Sequence, residues 1–181
     1  MTPTVLTLSL TLLLSGQSPM SKSATPRQPN PLAPSLPLLT DEEETRLDEI
    51  VERFIQYDTG KLRGDDGKKA LKDFQALGPE ATFALIRGLN RSAGIEATCP
   101  AATIGKKLVG ILRTSNDPDL LEFARENVGA GITRSPHLGI LKDVRLAATL
   151  RKKELAARPA TIKTAPPPPV SSPGSQYSPK P

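Results

Sequence analysis

The stretch "LGPEATFALIRGLNR", residues 77–91, decides the fold predicted for this chain of 181 residues. Its Gly-Pro step is followed by three apolar residues at helical spacing, Phe83, Ile86 and Leu89. Proline at the first position of a helix loses nothing, because that amide lacks an intrahelical partner anyway. The stretch therefore predicts that one helix ends at Gly78 and that the next begins at Pro79.

The same order of features returns 39 residues further along the chain. A helix that starts near Asp66 precedes Pro79. A helix that starts near Pro100 precedes Pro118, and Asp117 is the expected N-cap of the helix that follows. The pattern predicts two antiparallel helix pairs with equivalent elbows, one at Pro79 and one at Pro118.

Residues 70–89, "ALKDFQALGPEATFALIRGL", resemble a HEAT repeat, with an apolar first helix, a Leu-Gly-Pro elbow and an apolar second helix. Residues 104–129 resemble it more loosely, because Asn116-Asp117-Pro118 replaces Leu-Gly-Pro and an Asp-Arg ladder is missing. The resemblance covers about half the chain and implies an all-α fold, a short HEAT-like α-solenoid of five to six helices. Two independent hairpins in a plain helical bundle are the alternative.

Two further helices flank the predicted pairs. Thr40 and Glu43 form a capping-box pattern that starts the first helix, and Gly60 suits its end. The last helix follows Ser135-Pro136, runs through Leu138, Leu141, Val144, Leu146, Ala147 and Leu150, and ends near Ala157. Acidic residues dominate the first helix and basic residues the last, which predicts charged caps at opposite ends of a stack.

The two ends of the chain are expected to lie outside the helical domain of residues 40–158. Residues 1–23 contain an apolar run from Val5 to Leu14 that resembles a secretory signal peptide, although no Lys or Arg precedes it. An unstructured hydrophobic start, or initiation at Met20, is the alternative. Residues 24–39 are predicted to be a Pro-rich spacer and residues 159–181 a disordered Pro-rich tail, because 15 of the 19 prolines lie outside residues 41–158.

The composition argues against several classes of function. All 19 acidic residues lie in residues 41–158 together with 20 Lys and Arg, so four of the five net positive charges come from cations in the flanking segments. A nucleic-acid interface needs basic residues gathered on a folded face, and base stacking needs aromatic residues, which make up only 3% of the chain. The composition therefore argues against a nucleic-acid partner, and a nucleic-acid binder that uses the basic last helix is a further alternative.

Catalytic and metal-binding residues are scarce. Cys99 is the single cysteine and His137 the single histidine, whereas a zinc site needs three or four ligands. Cys99 is expected to be a helix-cap or buried residue, or to pair between chains. We therefore expect no enzyme activity, cofactor or metal. The alternative is a lyase-like or enzyme accessory protein of the bilin-lyase HEAT-like type, which would use Cys99.

Two connections between helices are the best candidates for a binding edge, residues 89–100 and 129–139, because long loops within a compact domain are often functional. In a solenoid they would lie side by side. The predicted partner-binding residues are Arg87, Asn90, Arg91, Glu96, Arg134 and His137. The sequence thus predicts a secreted or cell-envelope protein that serves as a non-catalytic interaction or scaffold module for an unknown protein partner, with no membrane span in the mature chain.

Overall fold

The computed structural model describes residues 27–95 and 100–158. Within these ranges the chain forms six α-helices and a two-stranded hairpin. The elements are β1 (Pro29–Asn30), β2 (Ala33–Pro37), α1 (Asp41–Asp58), α2 (Gly64–Ala76), α3 (Thr82–Ser92), α4 (Pro100–Thr114), α5 (Pro118–Asn127) and α6 (Leu138–Ala157). The predicted all-α class is confirmed. The predicted signal peptide, Glu96, Cys99 and the Pro-rich tail lie outside the described residues.

Several helix boundaries follow the sequence signals. Thr40 and Glu43 form the predicted capping box: the Glu43 amide donates to Thr40 Oγ1 (3.3 Å) and the Thr40 amide donates to Glu43 Oε2 (3.1 Å). Gly60 follows α1 with a φ of 74°, a left-handed conformation that favours glycine. Asp117 caps α5, and Pro118 is its first residue. These predictions are confirmed.

Two predicted helix starts are displaced. Pro79 opens a short 3₁₀ helix (Pro79–Ala81), and α3 begins only at Thr82, whose hydroxyl donates to the Pro79 carbonyl. The last helix begins at Leu138 rather than at Pro136. Ser135 Oγ accepts from the His137 amide, as an N-cap would, but it also donates to the Ala93 carbonyl and so holds residues 135–137 in a turn.

The helices pair differently from the sequence prediction. The predicted hairpins joined α2 to α3 and α4 to α5, whereas α2 packs mainly against α1, α3 against α4, and α5 against α6. One cause is aromatic packing, since the rings of Phe54 on α1 and Phe74 on α2 stack with centroids 3.8 Å apart. The elbows at Pro79 and Pro118 therefore connect successive hairpins and do not lie within them.

Contacts between successive hairpins depend on glycines in α3 and α4. A side-chain carbon on Gly88 would overlap Val51 Cγ1 of α1, and one on Gly105 would lie 2.5 Å from Ile140 Cγ2 of α6. Glycine thus lets α3 approach α1 and lets α4 approach α6. One continuous apolar core follows these contacts, and its largest fully buried members include Phe54, Leu85, Leu89, Ile104, Leu108, Leu112 and Leu121.

Polar contacts reinforce the α5–α6 pair. Hydrogen bonds from Arg125 on α5 and Lys152 on α6 lower the pKa of Glu122 to about 2. The Glu122 carboxylate therefore stays ionised throughout the neutral range. Arg145 of α6 also donates from Nε to the Val128 carbonyl at the end of α5.

Residues 27–39 are packed against the helices, so the predicted spacer is wrong for this segment. Ala33 and Leu36 of β2 are buried against Leu120 of α5 and the partly buried Phe83 of α3. The antiparallel pairing is short and sets Pro29 opposite Pro37 at its open end, where a strand tolerates proline. Asn30 Oδ1 accepts from the Leu32 amide and closes the turn.

The hairpin is attached to the helices through one buried carboxylate, that of Asp117. Asp117 Oδ2 accepts from the Ser35 amide (2.8 Å), while Oδ1 accepts from the amides of Asp119 and Leu120. Burial alone would raise the pKa of Asp117, but the hydrogen bonds from Ser35, Leu120 and Asp119 outweigh it and lower the pKa. One side chain therefore caps α5 and holds β2.

We predict that Gly88→Ala lowers the free energy of unfolding by about 1–3 kcal/mol, because the added methyl group overlaps Val51 in a packed core. Gly110→Ala is the matched control. Gly110 lies in helix α4 with open space around it, so alanine should raise stability by about 0.5–1 kcal/mol. Urea unfolding of both variants checks the pair. Equal stability changes would contradict the close α1–α3 contact.

We predict that Asp117→Asn lowers the free energy of unfolding at pH 7 by about 1–3 kcal/mol, because asparagine still caps α5 but its NH₂ group cannot accept from the Ser35 amide. Because folding lowers the pKa of Asp117, its ionised carboxylate stabilises the fold at pH values above the unfolded pKa of about 3.9. This contribution disappears as the pH falls through the folded pKa.

The difference between the wild type and Asp117→Asn should therefore shrink in acid. Unfolding curves at neutral pH and near pH 3 measure it, with Asp119→Asn, an exposed residue of the same helical turn, as the control. A difference that is the same at both pH values would contradict this role of the Asp117 carboxylate.

Candidate functional site

The predicted binding arginines of α3 face the acidic side of α1. Arg87 Nε donates to Asp48 Oδ1 (3.0 Å), and its Nη2 lies 3.6 Å from Glu44 Oε2. Arg91 Nε lies 3.5 Å from Glu52 Oε2. These half-exposed ion pairs join α3 to α1 and partly neutralise the acidic helix, although exposed pairs of this kind contribute only about 0–1 kcal/mol each.

Asn90 connects α3 to the end of α5. Its Nδ2 donates to the Asn127 carbonyl (2.9 Å), and its Oδ1 accepts from the Gly129 amide (2.6 Å). The amide group thus satisfies two backbone groups where α5 ends, one donor and one acceptor. Asn90 has a structural role that the sequence analysis did not predict.

The described parts of the two predicted loops lie against each other. Ser135 Oγ donates to the Ala93 carbonyl (2.5 Å), and His137 Nε2 lies 3.0 Å from the Ile95 carbonyl oxygen. Arg134 is exposed beside them, while Glu96 is outside the described residues. The structure therefore brings Arg134 and His137 to the α3–α4 connection, and most polar groups of this edge serve contacts within the chain. Partner binding at this edge stays a prediction.

A groove that the sequence analysis missed lies between α4 and α6 and has a volume of about 700 Å³. Small and aliphatic side chains form its floor: Ala102, Gly105, Val109, Ile140, Val144 and Ala147. The close contact of Gly105 with Ile140 brings the two helices together at the floor. Two leucines of α6, Leu146 and Leu150, line the side of this groove.

Leu146 and Leu150 are 54% and 51% exposed, so these two apolar residues of the predicted last helix lie outside the core. At about 100° per residue, both lie roughly opposite the line of Leu141 and Val144, which are buried. Apolar residues thus occur around most of α6, and those on the face of Leu141 and Val144 are the ones buried against α4 and α5. This double apolar pattern is the sequence signal that could have identified the groove.

Basic side chains surround the leucine pair. Lys106 and Arg113 project from α4, while Lys142 and Lys153 project from α6, and all four are exposed. Among the residues that the structure describes, none of these four takes part in an ion pair. Arg151, in contrast, donates to the Ser115 carbonyl, Asn116 and Glu154. Lys106 and Arg113 line the groove together with Asp143, whereas Lys142 and Lys153 lie outside the lining, one turn from Leu146 and Leu150 along α6. The groove and its border therefore combine exposed leucine with cations that have no ion-pair partner among the described residues.

A second groove, between α1 and α2, has a similar volume of about 710 Å³ but different chemistry. Its charged groups pair with one another in three ion pairs, Arg27–Glu43, Arg53–Asp66 and Lys69–Asp73. The hydrogen bond from Lys69 lowers the pKa of Asp73, so this pair persists at neutral pH. The lining of the α1–α2 groove contains none of the exposed large apolar residues of the described chain, and its charged residues other than Arg46, Glu49 and Glu80 form ion pairs.

Within residues 27–95 and 100–158, no three His, Cys, Asp or Glu side chains gather as a metal site would require. No helix in these ranges has the length and apolar character needed to cross a membrane.

Comparison of the chain with known protein families, with curated proteins and with solved structures found no match in any of the three.

We predict that Asn90→Ala lowers the free energy of unfolding by about 1–3 kcal/mol, because it leaves the Gly129 amide without its acceptor and removes one of the two donors to the Asn127 carbonyl, the other being the Ala130 amide. Arg91→Ala, one residue away, should change stability by less than about 1 kcal/mol, since its ion pair with Glu52 is exposed. Thermal and urea unfolding measure both variants. A larger effect of Arg91→Ala than of Asn90→Ala would contradict the structural role of Asn90.

Proposed function

We propose that this protein is a non-catalytic interaction module that binds a partner protein in the α4–α6 groove. The observation that carries the proposal is the exposure of Leu146 and Leu150, one helical turn apart, at the edge of an apolar groove. Scattered exposed leucines are common on protein surfaces, but adjacent ones that line a recess are typical of binding sites. No catalytic step is part of the proposal.

The proposed architecture is a short HEAT-like stack of three helical hairpins, α1–α2, α3–α4 and α5–α6. Packing of α1 on α3 and of α4 on α6 supports it, because each contact joins corresponding helices of successive hairpins. Two hydrogen bonds support the period as well. Arg87 to Asp48 and Gly129 to Asn90 each join residues that are 39 positions apart.

The proposed location is the cell envelope or the extracellular space. Its support is the signal-peptide pattern of residues 1–23. In either compartment, the described domain would present its groove to other exported proteins. The Pro-rich tail beyond α6 would act as a spacer or an attachment.

A site-specific crosslink tests the proposed function. The full chain carries a photoreactive amino acid at Leu150 in producing cells, and adducts are identified by mass spectrometry in envelope and medium fractions. We expect one recurrent protein adduct from position 150.

The matched control carries the same group at Leu32, which is equally exposed (55%) but lies in the hairpin turn. The adduct should be absent or much weaker from this position. Equal adducts from both positions, or none from position 150, would overturn the proposed function.

A further inference from the structure

We infer that the occupant of the α4–α6 groove is an acidic amphipathic helix of another protein, with apolar residues on one face and carboxylates beside them. This inference rests on the proposed function, because it specifies the partner of the same site. It is carried by the length of the groove, its leucine pair and the charge around it.

The dimensions of the groove suit a short helix. Its α6 wall extends from Ile140 to Glu154, which corresponds to about 21 Å at 1.5 Å per residue. A partner helix of about four turns covers that length. Leu146 and Leu150 lie about one helical turn apart. Apolar residues at positions i, i+3 and i+4 of a partner helix have the same spacing and could contact both leucines.

The charge of the groove selects for carboxylates. The lining of the groove includes Lys106, Arg113 and Arg151 against Asp143 and Glu154, and Arg151 and Glu154 pair with each other. Lys142 and Lys153 lie next to the leucine pair on α6, outside the lining. Lys106, Arg113, Lys142 and Lys153 have no ion-pair partner within the described ranges, as reported above. Acidic side chains that flank the apolar face of a partner would meet these cations, which favours both affinity and register.

The terminal segments of this chain do not have the required chemistry. All 19 acidic residues lie in residues 41–158, so the segments before and after that range contain Lys and Arg but no Asp or Glu. A second copy would offer its acidic helix α1, but that helix exposes no large apolar side chain; the other exposed large apolar residues of the described chain are Leu32 and Leu38, outside α1. The complementary surface therefore belongs to a different protein.

Binding of designed peptides to the full chain tests the inference. The probe is a fluorescent amphipathic peptide of about 14 residues with leucine on one face and glutamate elsewhere. Two matched peptides replace either every glutamate by lysine or every leucine by serine. We expect the Leu/Glu peptide to bind at least tenfold more tightly than either control, and its affinity to fall with added salt.

Three variants locate the site. The double variant Leu146→Ser/Leu150→Ser should weaken binding of the Leu/Glu peptide at least tenfold, whereas the control Leu32→Ser should leave it unchanged. Lys106→Glu/Arg113→Glu should weaken the Leu/Glu peptide and strengthen the Leu/Lys peptide. Circular dichroism melts confirm that each variant is folded, and all substituted residues are exposed.

Several outcomes would overturn the inference. Two concern the peptides: no preference for the Leu/Glu peptide, and unchanged peptide binding by the double leucine variant. A third is binding to anionic phospholipid vesicles that depends on both leucines and exceeds peptide binding. The fourth is self-association through the groove, measured by sedimentation, that the peptide does not displace. If position 150 nevertheless crosslinks to a partner, the proposed function stands and only the chemistry of the partner is wrong.

Discussion

The close approach of helices at Gly88 and Gly105 is the constraint on which the rest of the structure depends. Neither residue carries a side chain, so α3 contacts Val51 of α1 and α4 contacts Ile140 of α6. These contacts bring successive hairpins together and give the described helices one continuous core. Gly105 also lies in the floor of the α4–α6 groove, so the contact that joins the hairpins helps to shape the candidate site.

The charged residues of α1 differ from those of α4 and α6 in how many of them are paired. The acids of α1 pair with Arg87 and Arg91 of α3. At the groove between α1 and α2, Arg53 pairs with Asp66 across the two helices, and Lys69 pairs with Asp73 within α2. The hairpin of residues 29–37 covers Leu120 through Ala33 and Leu36. At α4 and α6, in contrast, leucine side chains and cations are both left exposed. Among the described residues, an exposed leucine pair and cations without an ion-pair partner thus occur together at the α4–α6 groove.

Local signals in the sequence predicted local structure well. The capping box at Thr40, the cap at Asp117 and the left-handed Gly60 depend on neighbouring residues, so their patterns are visible in the chain. Helix pairing was predicted wrongly, because a proline elbow shows where a helix starts but not which neighbour it packs against.

The packed hairpin was missed because its proline spacing also fits an extended spacer. Only contacts with Leu120 and Asp117, more than 80 positions away, decide between the two structures. The groove was missed for a related reason. Helix α6 has apolar residues on two faces, and its packing against α4 and α5, which the sequence does not show, decides which face is buried.

The central claim is that the fold leaves the α4–α6 groove open in the absence of a partner. Methyl NMR of the full chain with a soluble paramagnetic probe tests it most directly, because the probe broadens signals of exposed methyl groups. We expect the Leu146 and Leu150 methyl signals to broaden as strongly as those of Leu32, while the signals of the buried Leu85 and Leu108 stay sharp. Protection of Leu146 and Leu150 to the level of Leu108 would show that the chain covers its own groove and would contradict the account.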